Sequence, residues 1–332
     1  MKTDGYGLLN VAAGLLLGAM AASAAEKPPP AFPGAEGWGC ETPGGRGGKV
    51  MIVTNLNPDG PGSLQEACAA EGPRIVVFEV SGVIHNTITI EHSNITIAGQ
   101  AAPGAGITIE GMLVSKPGIA DIVVRFLRVR PRPVETVIFP EQNGGGPLAV
   151  RLRRIGVEMK NPHENWYDEY DGVKMTRAKN VVLDHLSCSW SDDELVSLCE
   201  THHITVQWCT LEETNVGKHT KYHGHHNFAL FSAYNSKGFI SIHHDLIANN
   251  SRRAPTVRDG VGDIRNNVIY NFRHGFSHDG GSKGPLNIVG NVFKRGPNSE
   301  KPRPDLIWWG SSVKAICLEK AASYYLADNR DF

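Results

Sequence analysis

Short β-branched runs recur along this chain at a nearly constant interval, and that interval restricts the fold more than any other feature. "NVVLDHLS", "HITVQWCT", "FISIHHDL", "GDIRNNVI" and "LNIVGNVF" centre on Leu183, Val206, Ile242, Ile264 and Ile288. All the steps but one fall in the low twenties; the step from Val206 to Ile242 is longer. Such a period, with one strand signature in each and no amphipathic helix between them, specifies a parallel β-solenoid. A sandwich would place strands every ~8–12 residues, about half this interval. The long step is one coil plus an insertion, assigned to "EETNVGKHTKYHGHHN" at 212–227.

Stacked coils bring equivalent positions side by side at about 4.8 Å. Asp171 precedes Asp193 by almost one full period, and Arg252 lies as far past Ile242 as Asp193 lies past Leu183. The expected lateral row is Asp171, Asp193, then Arg252 and Arg253. Carboxylates at one end and arginines at the other suit a metal-assisted site for an acidic ligand.

Composition narrows the partner. With 33 Lys+Arg against 34 Asp+Glu, the chain lacks the basic excess of a nucleic-acid binder. Lys2, the apolar stretch "LLNVAAGLLLGAMAA" and the small residues Ala22, Ser23 and Ala24 read as an export signal over 1–24. No later stretch is long and apolar enough to span a bilayer, so a secreted, soluble protein is expected; it is read as a monomer with a single solenoid and N-terminal cap over 25–332. "GGRGG" at 44–48 lacks the lysine and serine of a phosphate loop and reads as a turn near that cap. Six cysteines fit an oxidising compartment, and their pairing is open: free buried thiols or disulfides.

The chemistry-bearing residues fall in three segments. "DEYDGVKM" and "SWSDDELVS" supply Asp168, Asp171, Asp192, Asp193 and Glu194, hard oxygen donors suited to Ca2+. Taken singly they read as solvated turn residues; Asp171 with Asp193, one coil apart, reads as a metal site. "NNSRRAPTVRDG" sets Arg252, Arg253 and Arg258 around Pro255, whose ring fixes its own φ and steers Ala254 toward extended backbone. Guanidinium forks bind carboxylates in bidentate fashion, so the segment suits an acidic sugar or peptide. The insertion carries Lys218 and His223 on a loop read as facing substrate. Asp184 and His185 lie in a strand and read as a structural hydrogen bond.

These residues together resemble the secreted polysaccharide lyases of the pectate lyase type, over roughly residues 31–295. "AFPGAEGWG" with "TPGGRGGKVMIVTNLNPDGPGSL" is similar to that family's opening, and "ITIAGQAAPGAGI" with "IVVRFLRVRP" to its early coils. "NVVLDHLSCSWSDDE" resembles the segment around its Asp-His pair. The most specific element is R-x-P-x-x-R, present as Arg253-Ala254-Pro255-Thr256-Val257-Arg258 after "IHHDLIANN". The resemblance implies a right-handed parallel β-helix and calcium-dependent β-elimination on polygalacturonate, an acidic plant cell-wall polysaccharide. It also implies Arg253 as catalytic base and Arg258 as its supporting arginine. Asp171 and Asp193 match calcium-ligand positions with Glu194 beside them, and Lys218 is the candidate for the substrate carboxylate, with Arg252 and His223 as further substrate contacts. The histidine-rich insertion and the segment "ETVIFPEQNGGGPLAVRLRRIGVEMKNPHENWY" depart from the family pattern.

Other readings stay open beside this one. A lyase for pectin or another polyuronate would use the same residues. A polygalacturonase-like hydrolase on the same solenoid would use paired carboxylates and a water, but further Asp-containing and Arg-x-Lys elements are not found. A non-catalytic carbohydrate-binding solenoid would have no need of both Arg253 and Asp193.

Overall fold

A computed structural model describes residues 28–131, 171–215, 227–233, 238–258, 260–278, 284–297, 299, 307–309, 316–318 and 322–332. The segment 1–24, Asp168, Lys218 and His223 lie outside them. Among the described residues strands dominate, and they form three parallel sheets of ten, nine and nine strands. The first runs from Lys49–Val53 to Ser323–Ala327, the second includes Ser187–Ser189 and Thr210–Glu212, and the third includes Val173–Thr176, Glu194–Cys199 and Phe228–Ala233. Each coil visits the three sheets in turn, which makes a parallel β-helix.

The repeat read from the sequence is the ladder of the first sheet. Leu183, Val206, Ile242, Ile264 and Ile288 are consecutive register partners. The same row continues backward through Val124, Ile97 and Val76 and forward to Leu326. Because strand side chains alternate, this row and its neighbours two residues away face inward, and Ile95, Ile97, Val181 and Leu183 are fully buried. The long step also falls where expected. Ser187 pairs with Thr210 at the ordinary interval, but Glu194 pairs with Phe228, a much longer step along the chain. The extra residues therefore leave the coil between the second and third sheets.

Corners between sheets use left-handed backbone. Phe126, His185, Trp208 and His244 follow the first-sheet strands with φ between 52° and 59°. A bulky residue is strained there, and stacking offsets the strain: ring centroids lie 4.4 Å apart for Phe126–His185 and for Trp208–His244. Beneath this corner Asp184 is fully buried, accepting from Arg125 Nε at 2.7 Å and Gln207 Nε2 at 2.6 Å, with His185 Nδ1 2.9 Å away. Further along, an inward ladder of amides closes the same corner: the main-chain N–H of Asp245, Asn267 and Asn291 donates to the side-chain oxygen of Asn267, Asn291 and Asn329.

Residues 31–48 lie flat across the outer face of the first sheet. Their main-chain N–H groups donate to outward side chains: Gly45 to Thr96, Gly39 to Thr205, Trp38 to Ser241 and Glu36 to Gln207. Contact is so close that a Cβ on Gly39 would stand 2.3 Å from the Val181 carbonyl oxygen, and one on Gly45 1.7 Å from that of Arg74. "GGRGG" is a turn, as read, and it ends a strap that binds several coils together. The short helix Leu64–Ala69, N-capped by Ser63, packs Leu64, Ala67 and Cys68 into the core beside the first coils. Cys68, Cys188 and Cys209 are buried free thiols, which answers for them the question the sequence left open. Burial pushes Cys68 and Cys188 up to about 12, so they pack as apolar groups. Among the described residues no helix is long and apolar enough to cross a membrane.

Candidate active site

The strands of the third sheet bring the distant acidic and basic segments onto one edge. Val173 pairs with Val196, so Asp171, two residues earlier, stands beside Glu194. The Glu194 N–H donates to Asp171 Oδ1 at 3.1 Å, and the Gly172 N–H to the Glu194 carbonyl at 2.8 Å. Glu194 pairs with Phe228, and Phe228 bridges to Arg252. The row is therefore Asp171, Glu194, Phe228, Arg252. Here the structure corrects the sequence reading by one position. The coil is slightly longer than the spacing from Asp171 to Asp193, so Asp171's ladder neighbour is Glu194, with Asp193 adjacent.

All three expected carboxylates nevertheless converge. Asp171, Asp193 and Glu194 each place an oxygen within 4.8 Å of the others. They are at most 2% exposed. Asp192, the fourth acid of this stretch, is held instead by Asn215 Nδ2 at 2.8 Å. Burying three carboxylates costs heavily unless cations or donors face them. Two cations do. Lys174 Nζ lies 3.1 Å from Asp171 Oδ2, and the Arg253 guanidinium contacts Glu194 Oε1 directly.

Arg253 is also seated on two rings, its guanidinium carbon 4.3 Å from the Phe228 centroid and 3.9 Å from that of Phe231. Its backbone is left-handed at φ 54°, followed by a cis Ala254–Pro255 peptide. Phe228 lies opposite Arg252, whereas Phe231 lies opposite Thr256. Four steps on one strand thus face three on the other, a bulge that re-aims a side chain at a site. The Leu230 N–H donates to the Arg253 carbonyl at 2.7 Å and anchors the bulge.

Arg258 stands beyond the other end of the strand Thr256–Val257. Its N–H donates to the Ser232 carbonyl at 2.9 Å, and its carbonyl accepts from His278 Nε2 at 3.2 Å. Tyr324 Oη is 2.5 Å from the other nitrogen of that buried imidazole. The structure therefore gathers Asp171, Asp193, Glu194 and Arg253 in one cluster. Arg252 is exposed beside it, Arg258 is braced separately, and Lys218 and His223 fall outside the described residues. Lys174, Phe228, Phe231 and His278 were not anticipated. Only Lys174 left a trace in the sequence, as the lone charge in "VKMT", a strand buried along its whole length.

Three buried carboxylates fit a hard divalent cation. Their oxygens lie close enough together to share one calcium ion, and water or a ligand would complete its six to eight oxygens.

Comparison with known proteins supplies kin for this arrangement. No family model matches the chain. Probable pectate lyase C of Aspergillus flavus is 34% identical over 274 residues, covering 81% of this chain and 55% of that protein. The protein of the same name from Aspergillus fumigatus is 33% identical over 296 residues, covering 88% and 60%. The chain thus spans little more than half the length of the curated relatives it matches. Among solved structures, Jun a 1, the major allergen from cedar pollen, superposes with a TM-score of 0.56 at 17% identity, covering 87% of this chain and 82% of that one. The thermostable pectate lyase PL 47 superposes with a TM-score of 0.56 at 14% identity, covering 89% and 83%. In sequence over most of its length the chain is a homologue of the proteins named probable pectate lyase C, and its fold is the parallel β-helix of the solved pectate lyases.

Proposed function

We propose that the chain is an exported, calcium-dependent pectate lyase that cleaves α-1,4-linked polygalacturonate by β-elimination and releases unsaturated oligogalacturonides. The observation that carries this reading is the buried trio Asp171, Asp193 and Glu194, with Arg253 in direct contact with Glu194. In this reading Asp171, Asp193 and Glu194 hold the cation. When bound, calcium draws charge from a uronate carboxylate and so acidifies the C5 proton beside it.

Arg253 takes that C5 proton, and the electron pair left at C5 forms the C4–C5 double bond as the C4–O bond breaks. The leaving oxygen departs with a proton from solvent, and the new non-reducing end is unsaturated. Arg258, whose main chain is held at both its N–H and its carbonyl, orients the substrate carboxylate. Arg252, Lys218 and His223 contribute further substrate contacts. A guanidinium is normally protonated throughout the physiological range. An arginine base therefore makes elimination an alkaline activity.

The test is ultraviolet absorbance of polygalacturonate incubated with the protein, with calcium and then with a chelator, from neutral to alkaline pH. Unsaturated product that grows with pH and disappears with the chelator is expected. New reducing ends without that absorbance would mean hydrolysis and overturn the proposal.

A further inference from the structure

Glu194 is claimed from two sides. Its carboxylate belongs to the trio whose oxygens lie within 4.8 Å, and the same carboxylate contacts Arg253 Nη1. A divalent ion on that carboxylate would stand within a few ångströms of the guanidinium, and two cations repel steeply where water is excluded. Glu194 is 3% exposed on its side chain, so solvent screens this little. Arg253 has a second seat, however. The rings of Phe228 and Phe231 and the bond from Leu230 N–H to its carbonyl hold it independently of Glu194.

We infer that Glu194 couples cation binding to Arg253. Uptake of a divalent cation by Asp171, Asp193 and Glu194 loosens the Glu194–Arg253 pair and leaves the guanidinium on its aromatic seat, available to an acidic ligand. Coupling of this kind is reciprocal, so Arg253 must weaken the hold on the cation by the same factor. The positive charge that the substrate meets is then assembled only when the cation is present. This inference rests on the metal reading proposed above and not on the reaction.

Calorimetric titration of the full chain with calcium chloride alone tests it. Arg253→Met is expected to bind calcium about fivefold or more tightly than the unaltered protein. Arg252→Met removes the same charge one residue away, from an exposed side chain, and should stay within about twofold. Glu194→Gln should bind more weakly. Calcium binding by Arg253→Met that is equal or weaker overturns the inference, as does an equal gain in Arg252→Met or no binding by any form.

A second arm needs no variant. Modification of Arg253 by phenylglyoxal, read by peptide mass, should speed up several-fold on adding calcium to the unaltered protein, and an unchanged rate overturns the coupling. Neither measurement involves turnover, so failure of the lyase reading appears in the absorbance assay and failure of the coupling appears here.

Discussion

Arg253 carries its charge between one carboxylate and two aromatic faces, which makes its shape as important as its sign. Arg253→Lys keeps a cation but loses the planar fork and its stacking on Phe228 and Phe231. With Arg253 as the proposed base, the expected result is a fall in kcat of about 100-fold or more with the melting temperature nearly unchanged, since a positioned base contributes about 10²–10⁴. Kinetics on polygalacturonate with a parallel melt check both halves. Lys174 is the complementary case. Its side chain is 4% exposed and its partner Asp171 is fully buried, so Lys174→Met strands a carboxylate in the interior. Breaking such a pair costs about 3–5 kcal/mol. Denaturant unfolding should show that loss, and added calcium should restore part of it, because the ion supplies the missing charge. A calcium-insensitive loss would place Lys174 outside the cation's reach.

Within single coils, the amide ladder exposes an element that does not match its neighbours. Asn267, Asn291 and Asn329 each use an amide Nδ2 to donate to a carbonyl of the preceding coil. Asp245 occupies the same rung, accepting from the Cys209 N–H at 2.6 Å, and its Oδ2 is buried with no hydrogen-bond partner. An oxygen stands where the rung calls for a donor. Burial, before any neighbour, raises the Asp245 carboxyl well above its ordinary 3.8. The sign follows from linkage: the folded state holds the proton more tightly, so this group favours folding at low pH and costs stability as pH rises past the unfolded value. Asp245→Asn supplies the missing donor and removes the titration. It should stabilise by about 1–3 kcal/mol near neutral pH, with a smaller gain near pH ~4. Denaturant midpoints at the two pH values test this, and a gain independent of pH would contradict it.

Across the whole molecule, the strap at 31–48 ties coils that the repeat alone would leave joined only to their nearest neighbours. Gly39 presses on Val181 and Thr205 in the coils whose third-sheet strands carry the carboxylates. Gly39→Ala has no room for its methyl group and should cost about 1–3 kcal/mol, as overpacking does. If the strap aligns these coils, calcium affinity should fall along with stability, which a titration beside the melt would reveal. Loss of stability alone would confine the strap to holding the fold.

Taken by itself, the sequence determined the coil, because a solenoid's strand interval is written along the chain and every rung from Leu183 to Ile288 is a register partner of the next. It also determined which acidic and basic segments share an edge, since stacking carries equal offsets to equal places. Only the tertiary structure decided which carboxylate meets which cation. Asp171 stands beside Glu194 and not Asp193 because the coil between them is one position longer than the aspartate spacing, and a shift of one position in a strand turns each side chain to the opposite face. The rings under Arg253 and the His278 brace on Arg258 were invisible in advance. The rings and the brace depend on side chains from neighbouring coils, some twenty or more residues apart in the chain, meeting where a bulge and a corner place them.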